Sequence, residues 1–249
     1  MSDQRAAQPG LPAEALPDAT KAQRLRLRFA RGPEAADIGH LDLARVWERA
    51  FQEAGIALSY SQGSRRQPRL TIAAGLPRGV TSEGELLDAV LAQRVDPGQV
   101  VERLRPHLPP GLEAREACEV GMGFPSLPTA VRWADYEVDV PLPEEGRDLP
   151  GAVASFLSAE HLPWEDTRGE KVRRYDLRPL VQELRVEGGE GFTRLGMRLR
   201  CDPAGVGRPE QVVKALGLPE PARVHRLRLV LGERSPAHDA WRRRGRFVD

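Results

Sequence analysis

The chain has 249 residues, enough for two hydrophobic cores rather than one. Hydrophobic residues make up 40% and charged residues 29%, which excludes a disordered chain. Lys+Arg 37 against Asp+Glu 36 leaves +1, so net charge by itself selects no class of partner.

The two cysteines, Cys118 and Cys201, are too few and too far apart for a disulfide framework. They are also too few to ligate an iron–sulfur cluster. His40, His107, His161, His225 and His238 show no paired metal-ligand spacing. No cofactor and no metal are therefore expected. No apolar run approaches the roughly 20 residues of a membrane span, and no apolar signal segment is visible. The expected location is the cytoplasm.

Residues 1–22 lack any period and read as a disordered leader. Residues 24–29 alternate Arg-Leu-Arg-Leu-Arg-Phe, a half-buried strand. In 41–54, Leu43, Val46, Trp47 and Ala50 recur at helical spacing, with Gly55 as the C-terminal cap. Residues 56–60 and 69–74 read as strands, 84–91 as a third, 97–104 as a short helix and 112–120 as the closing strand. Residues 121–129, rich in Gly and Pro, read as a linker. The second half repeats the order: a strand around Tyr136 to Val140, a helix over 150–159, a hairpin over 180–200, a helix over 209–216 and a strand over 224–231. Both halves follow the split βαβ pattern. The sequence thus predicts an α+β protein of two tandem ferredoxin-like units with antiparallel sheets, spanning 23–120 and 130–231. A basic tail follows over 232–249, with Trp241 among arginines.

Four segments carry candidate chemistry. Strand alternation sets Arg24, Arg26 and Arg28 on one face, and Arg194, Arg198 and Arg200 on another, with Arg226 and Arg228 nearby. Guanidinium groups so arrayed either hold phosphates or pair with carboxylates across strands; Glu137 and Asp139 stand where they can neutralise two of them. The loop from Tyr60 to Arg69 gathers Ser61, Gln62, Gly63, Arg65, Arg66 and Arg69. It is either an anion clamp or a solvated connection, and its length exceeds what a hairpin needs. His40 opens a helix with Asp42 in the first turn, as a general base or as a residue near the cap. Asp176 and Arg178 lie two apart on a segment read as extended and can pair.

The run Gly39-His40-Leu41-Asp42-Leu43-Ala44-Arg45-Val46-Trp47-Glu48-Arg49-Ala50, then Ala54-Gly55 and Tyr60-Ser61-Gln62-Gly63, resembles the radical SAM-linked protein family. The resemblance continues through Leu76-Pro77-Arg78-Gly79-Val80, Asp176-Leu177-Arg178-Pro179, Arg208-Pro209-Glu210 and His225-Arg226-Leu227. It implies a bacterial protein of unknown activity, encoded beside or fused to a radical SAM protein that has a cobalamin-binding-type domain. Asp42, Arg45, Arg49, Asp176 and Arg178 then read as structural motif positions. Where the family reads Phe-His-Pro after the loop glycine, this chain has Ser64, Arg65 and Arg66, which favours anion binding over proton transfer because guanidinium stays charged. The function this implies is a non-catalytic accessory partner of such an enzyme that binds RNA or substrate, in RNA or cofactor modification. A weaker resemblance of architecture, to the RAMP superfamily of endoribonucleases, implies metal-independent RNA cleavage by His40, Tyr60, Ser61 and Arg65. RNA binding without an enzyme partner is the third alternative.

Overall fold

The computed structural model describes residues 20–62, 64–141, 148–169, 171–189 and 191–232. Most of the expected leader, loop residue Gly63 and the tail with Trp241 lie outside the described residues.

In the first half, β1 (Gln23–Arg31) leads through a 3-10 turn to α1 (His40–Glu53), β2 (Leu70–Ile72), β3 (Thr81–Leu91), α2 (Pro97–Leu104) and β4 (Leu112–Val120). Leu43, Trp47, Ala50 and Phe51 bury one stripe of α1, which ends where Gly55 takes φ +68. The α2 helix starts on Asp96, whose carboxylate accepts from the Gly98 N–H, with Pro97 in the first turn. Both helices pack on the β1 face that carries Leu25, Leu27 and Phe29, and the Phe29 ring meets Trp47 edge-on at 5.0 Å. Burying each such side chain stabilises the fold by roughly 1.5–3 kcal/mol. The strand expected over 56–60 reduces to two isolated bridges, Leu58 to Leu91 and Tyr60 to Pro68.

In the second half the order is β5 (Val131–Pro141), α4 (Leu149–Ser158), β6 (Pro163–Arg168), β7 (Lys171–Asp176), β8 (Val181–Glu187), β9 (Phe192–Asp202), β10 (Gly205–Val206), α5 (Pro209–Ala215) and β11 (Arg223–Leu231). The α4 and α5 helices cover the β5 face carrying Ala134, Tyr136, Val138 and Val140. The β6–β7 ribbon is a separate two-stranded sheet that the sequence pattern did not announce. Its charged, weakly alternating residues resemble a solvated loop.

The other nine strands form one mixed sheet, mostly antiparallel, shared by both halves. Within it β4-β1-β3 carries β2 on β3, and β11-β5-β9 carries β8 on β9. The halves join where β11 runs parallel to β3, with His225 opposite Thr81 and Arg226 opposite Ser82. Gly84 makes this possible: a Cβ there would stand 2.3 Å from the Leu227 carbonyl oxygen. Arg226 locks the junction from a fully buried position. Its Nε donates to Glu85 at 2.7 Å, its Nη2 reaches both Glu85 and the Ala74 carbonyl, and the Ser82 hydroxyl donates to its carbonyl. Burial alone would lower the Arg226 pKa, but Glu85 more than offsets this and holds the guanidinium charged.

The segment expected as a free linker is a packed element. After Gly121 the chain forms α3 (Leu127–Ala130), and Leu127 packs with Leu86 and Val120 across the side of the first half that its helices leave bare. Among the described residues no helix is long and apolar enough to cross a membrane.

Candidate nucleic-acid interface

The arginine faces are resolved differently in the two halves. Arg24 and Arg26 share the carboxylate of Asp88: Arg24 Nε donates at 2.9 Å and Arg26 Nε at 2.7 Å. Arg24 also donates to the Phe124 and Pro125 carbonyls of the crossing segment. Arg26 is 1% exposed, so it is a structural ion-pair member and not the open anion contact expected of it. Arg28, next on that face, stays half-buried; burial lowers its pKa, against the opposing pull of Glu116.

On the second half the bare face keeps its contact with water. Arg198 grips Asp135 with two N–H groups at 2.6 and 2.9 Å, Arg228 donates to the same carboxylate at 2.7 Å, and Glu183 takes Arg198 from the other side. Burial raises the Asp135 pKa, but the two arginines outweigh it and hold the carboxyl below its ordinary range. The Asp139 carboxyl is also held low, first by Arg194, against burial, and then by Arg223. Arg200 is taken by Asp202 at 3.1 Å. Cross-strand pairing therefore absorbs part of the basic footprint.

What remains is a cleft of about 530 Å³ that spans the junction. Arg28 comes from β1, Arg185 from β8, Arg198 from β9 and Arg228 from β11, with Glu83, Asp135 and Glu183 as the carboxylates of the lining. The structure thus brings together Arg28 and Arg198, which lie 170 residues apart in sequence (198 minus 28). The sequence reading missed Arg185, because the strand pattern gave no sign of its register against β9, where it stands opposite Gly196.

The loop after Tyr60 is a clamped projection. Tyr60 bridges Pro68, the Ser61 N–H donates to the Gln67 carbonyl, and the Gln67 N–H donates back to the Ser61 hydroxyl at 3.0 Å. Gln62, Ser64, Arg65 and Arg66 are exposed beyond this neck. Tyr60 itself is turned to α1: its hydroxyl donates to Glu48 at 3.0 Å and accepts from Gln52 at 2.9 Å, and burial raises its pKa. Arg69 is half-buried, with an Nε that lacks a hydrogen-bond partner among the described residues.

His40 is exposed at the start of α1, after an extended Gly39. Asp42 and Arg45 pair with each other at 2.9 Å on the exposed side of that helix, and Arg49 stands 3.9 Å from Glu53. Asp176 and Arg178 do not pair as expected, because Arg178 starts a 3-10 turn instead of continuing the strand. Asp176 accepts from the Leu162 and Arg178 N–H groups and meets His161, while the Arg178 guanidinium donates to the Leu157 and Val181 carbonyls. Among the described residues no cluster of three or more His, Cys, Asp or Glu could hold a metal ion.

Of the solved structures similar to this chain, one is titled a Cbf5-Nop10-Gar1 complex: 11% identical, TM-score 0.47, covering 84% of this chain. The chain spans 49% of that relative's length. Another, an unknown protein from Galdieria sulphuraria, is 15% identical with TM-score 0.24, covering 84% of this chain and 99% of the other. At these scores neither likeness carries an argument. No curated protein matches the sequence. The family model described as "Uncharacterized protein conserved in bacteria (DUF2344)" matches residues 24–209, well over half of the chain, and the chain belongs to that family.

Proposed function

We propose that this protein is a binding module that presents RNA, or another polyanionic substrate, to a radical SAM enzyme of the cobalamin-binding type, without itself carrying out the chemistry. In this reading two ferredoxin-like units stand in tandem, each a split βαβ with its fourth strand beside its first. Their fusion along β3 and β11 gives the binding surface its width. The carrying observation is the junction cleft, where four arginines from four strands meet three carboxylates. Such a surface tracks a phosphate backbone by position and charge rather than by reading bases. The clamped loop adds Arg65 and Arg66 as an exposed second contact. The resemblance over residues 39–63 supports the enzyme partnership.

Two measurements test this. The protein should co-purify with the radical SAM protein of its host, and the complex should retain RNA. RNA affinity should fall steeply with salt, by one logarithmic unit of slope for about each phosphate contacted. Failure to associate with that protein, with and without RNA, removes the partnership. An affinity insensitive to ionic strength removes the RNA reading.

A further inference from the structure

A second cavity, of about 680 Å³, opens along the same seam. Glu83 is the wall it shares with the junction cleft. Its floor is the parallel pair Thr81 and His225, held side by side by strand register. Thr81 Oγ1 and His225 Nδ1 are 2.7 Å apart, so the imidazole cannot turn freely. Its Nε2 has no hydrogen-bond partner among the described residues. Arg223 and Arg115 flank the mouth, 43% and 33% exposed at the side chain. Arg223 spends Nη1 on Asp139, which leaves Nε and Nη2 without a hydrogen bond among the described residues. Arg115 stands between Glu83 and Glu113 and offsets one of the two carboxylates on that side.

Arg31, behind the floor, supplies the decisive feature. It is 1% exposed, and its guanidinium donates to the Ile38, Pro77 and Val80 carbonyls and, among the described residues, to no carboxylate. Glu85 is close enough to act on it electrostatically, but that carboxylate is committed to Arg226. The buried trio of Arg31, Arg226 and Glu85 thus carries one positive charge more than negative. The exposed Asp37 is the one further carboxylate that acts on Arg31, from a side that water screens, and a buried charge hydrogen-bonded only to carbonyls favours a closer counter-ion. Space for one exists: a Cβ at Gly79 would meet no atom within 4 Å, so the backbone there can be approached closely.

We propose that this seam cavity is a binding site for a phosphomonoester, held by Arg223 at the mouth and His225 on the floor and drawn by the field of Arg31. The phosphate could belong to a small sugar phosphate or to the 5′ end of an RNA; the recognition chemistry is the same. The proposal does not depend on the accessory role argued above. The groups acting on His225 are Thr81 and Glu83 from β3, Arg115 from β4, Glu137 from β5 and Arg223 from β11. Burial first, and then Arg223, keeps its pKa below the usual histidine value, which favours the neutral ring. An arriving anion favours the imidazolium, so the His225 titration midpoint rises on binding.

Imidazole NMR signals of the full chain, with His225 assigned from His225→Gln, provide the test. The titrants are sulfate, inorganic phosphate, ribose 5-phosphate, and one short RNA with and without a 5′-phosphate. Sulfate has no titration of its own near neutral pH, so it reports the histidine alone. The expected result is a saturable shift of His225 with phosphate and ribose 5-phosphate and a higher His225 midpoint in sulfate. Arg223→Gln, on an exposed rim, should weaken binding by about tenfold, the loss of one charge-assisted contact. Stronger binding of ribose 5-phosphate or of the phosphorylated RNA identifies the source. No saturable His225 shift with phosphate or ribose 5-phosphate, a saturable His225 shift with RNA lacking the 5′-phosphate, or unchanged phosphate affinity in Arg223→Gln overturns the proposal.

Discussion

Asp88 and Asp135 are built alike and placed differently. Each is a carboxylate on the side its half's helices leave bare, gripped by two arginines: Arg24 and Arg26 in one case, Arg198 and Arg228 in the other. The Asp88 side chain is 4% exposed, with its arginines at 10% and 1%. The Asp135 side chain is 13% exposed, with its arginines at 23% and 42%. The difference comes from residues 121–130, which cross the first face and leave the second open. The same three charges therefore hold the fold where covered and meet solvent where open.

Removing the carboxylates separates the two roles. Asp88→Ala strands two buried guanidiniums and should cost about 3–5 kcal/mol, measured by chemical denaturation. A cost under about 1 kcal/mol would mean that the covered triad is not structural. Asp135→Ala removes two ion pairs whose arginines solvent screens and should cost only about 1 kcal/mol. It also unpairs Arg228 and one side of Arg198 at the cleft. RNA binding should tighten, and the salt slope should steepen by about one unit. Weaker RNA binding in a folded Asp135→Ala protein would place the contact elsewhere.

Acid sharpens the comparison further. The Asp135 and Asp139 carboxyls are held below their ordinary range in the folded chain. Depressed carboxyl pKa values stabilise the fold above the unfolded value of about 4, and this is lost as pH falls through the folded values. Denaturation midpoints should therefore drop below about pH 4, and the slope of that drop should shrink in Asp135→Asn with Asp139→Asn. An unchanged slope would assign acid sensitivity to other carboxyls. The smallest stability effect belongs to the loop. Arg65→Ala and Arg66→Ala should alter stability by less than about 0.5 kcal/mol, and each should reduce the RNA salt slope by about one unit. Equal salt slopes would remove the loop from the interface.

Much of this was legible along the chain. Arg-Leu alternation in β1, the apolar stripe of α1 and the closing strand at 112–120 are local patterns, fixed by side-chain period. The β6–β7 ribbon was not legible, since its polar residues bury little on either face. The 3-10 turn at Arg178 also escaped, because Asp176 satisfies backbone N–H groups there in place of pairing with the arginine. Arg28 and Arg198 were visible as candidates, but not their meeting in one cleft.

The sequence by itself determined which residues alternate, where the longer helices form and where arginines line a face, because those depend on neighbours a few positions apart. Tertiary structure decided which arginines are available. Gly84 let β11 run against β3, Glu85 and Arg226 closed that seam, and residues 121–130 covered one face and not the other. Those contacts join residues tens to more than a hundred positions apart, and the exposure of a charge depends on what lies over it, which no local pattern records.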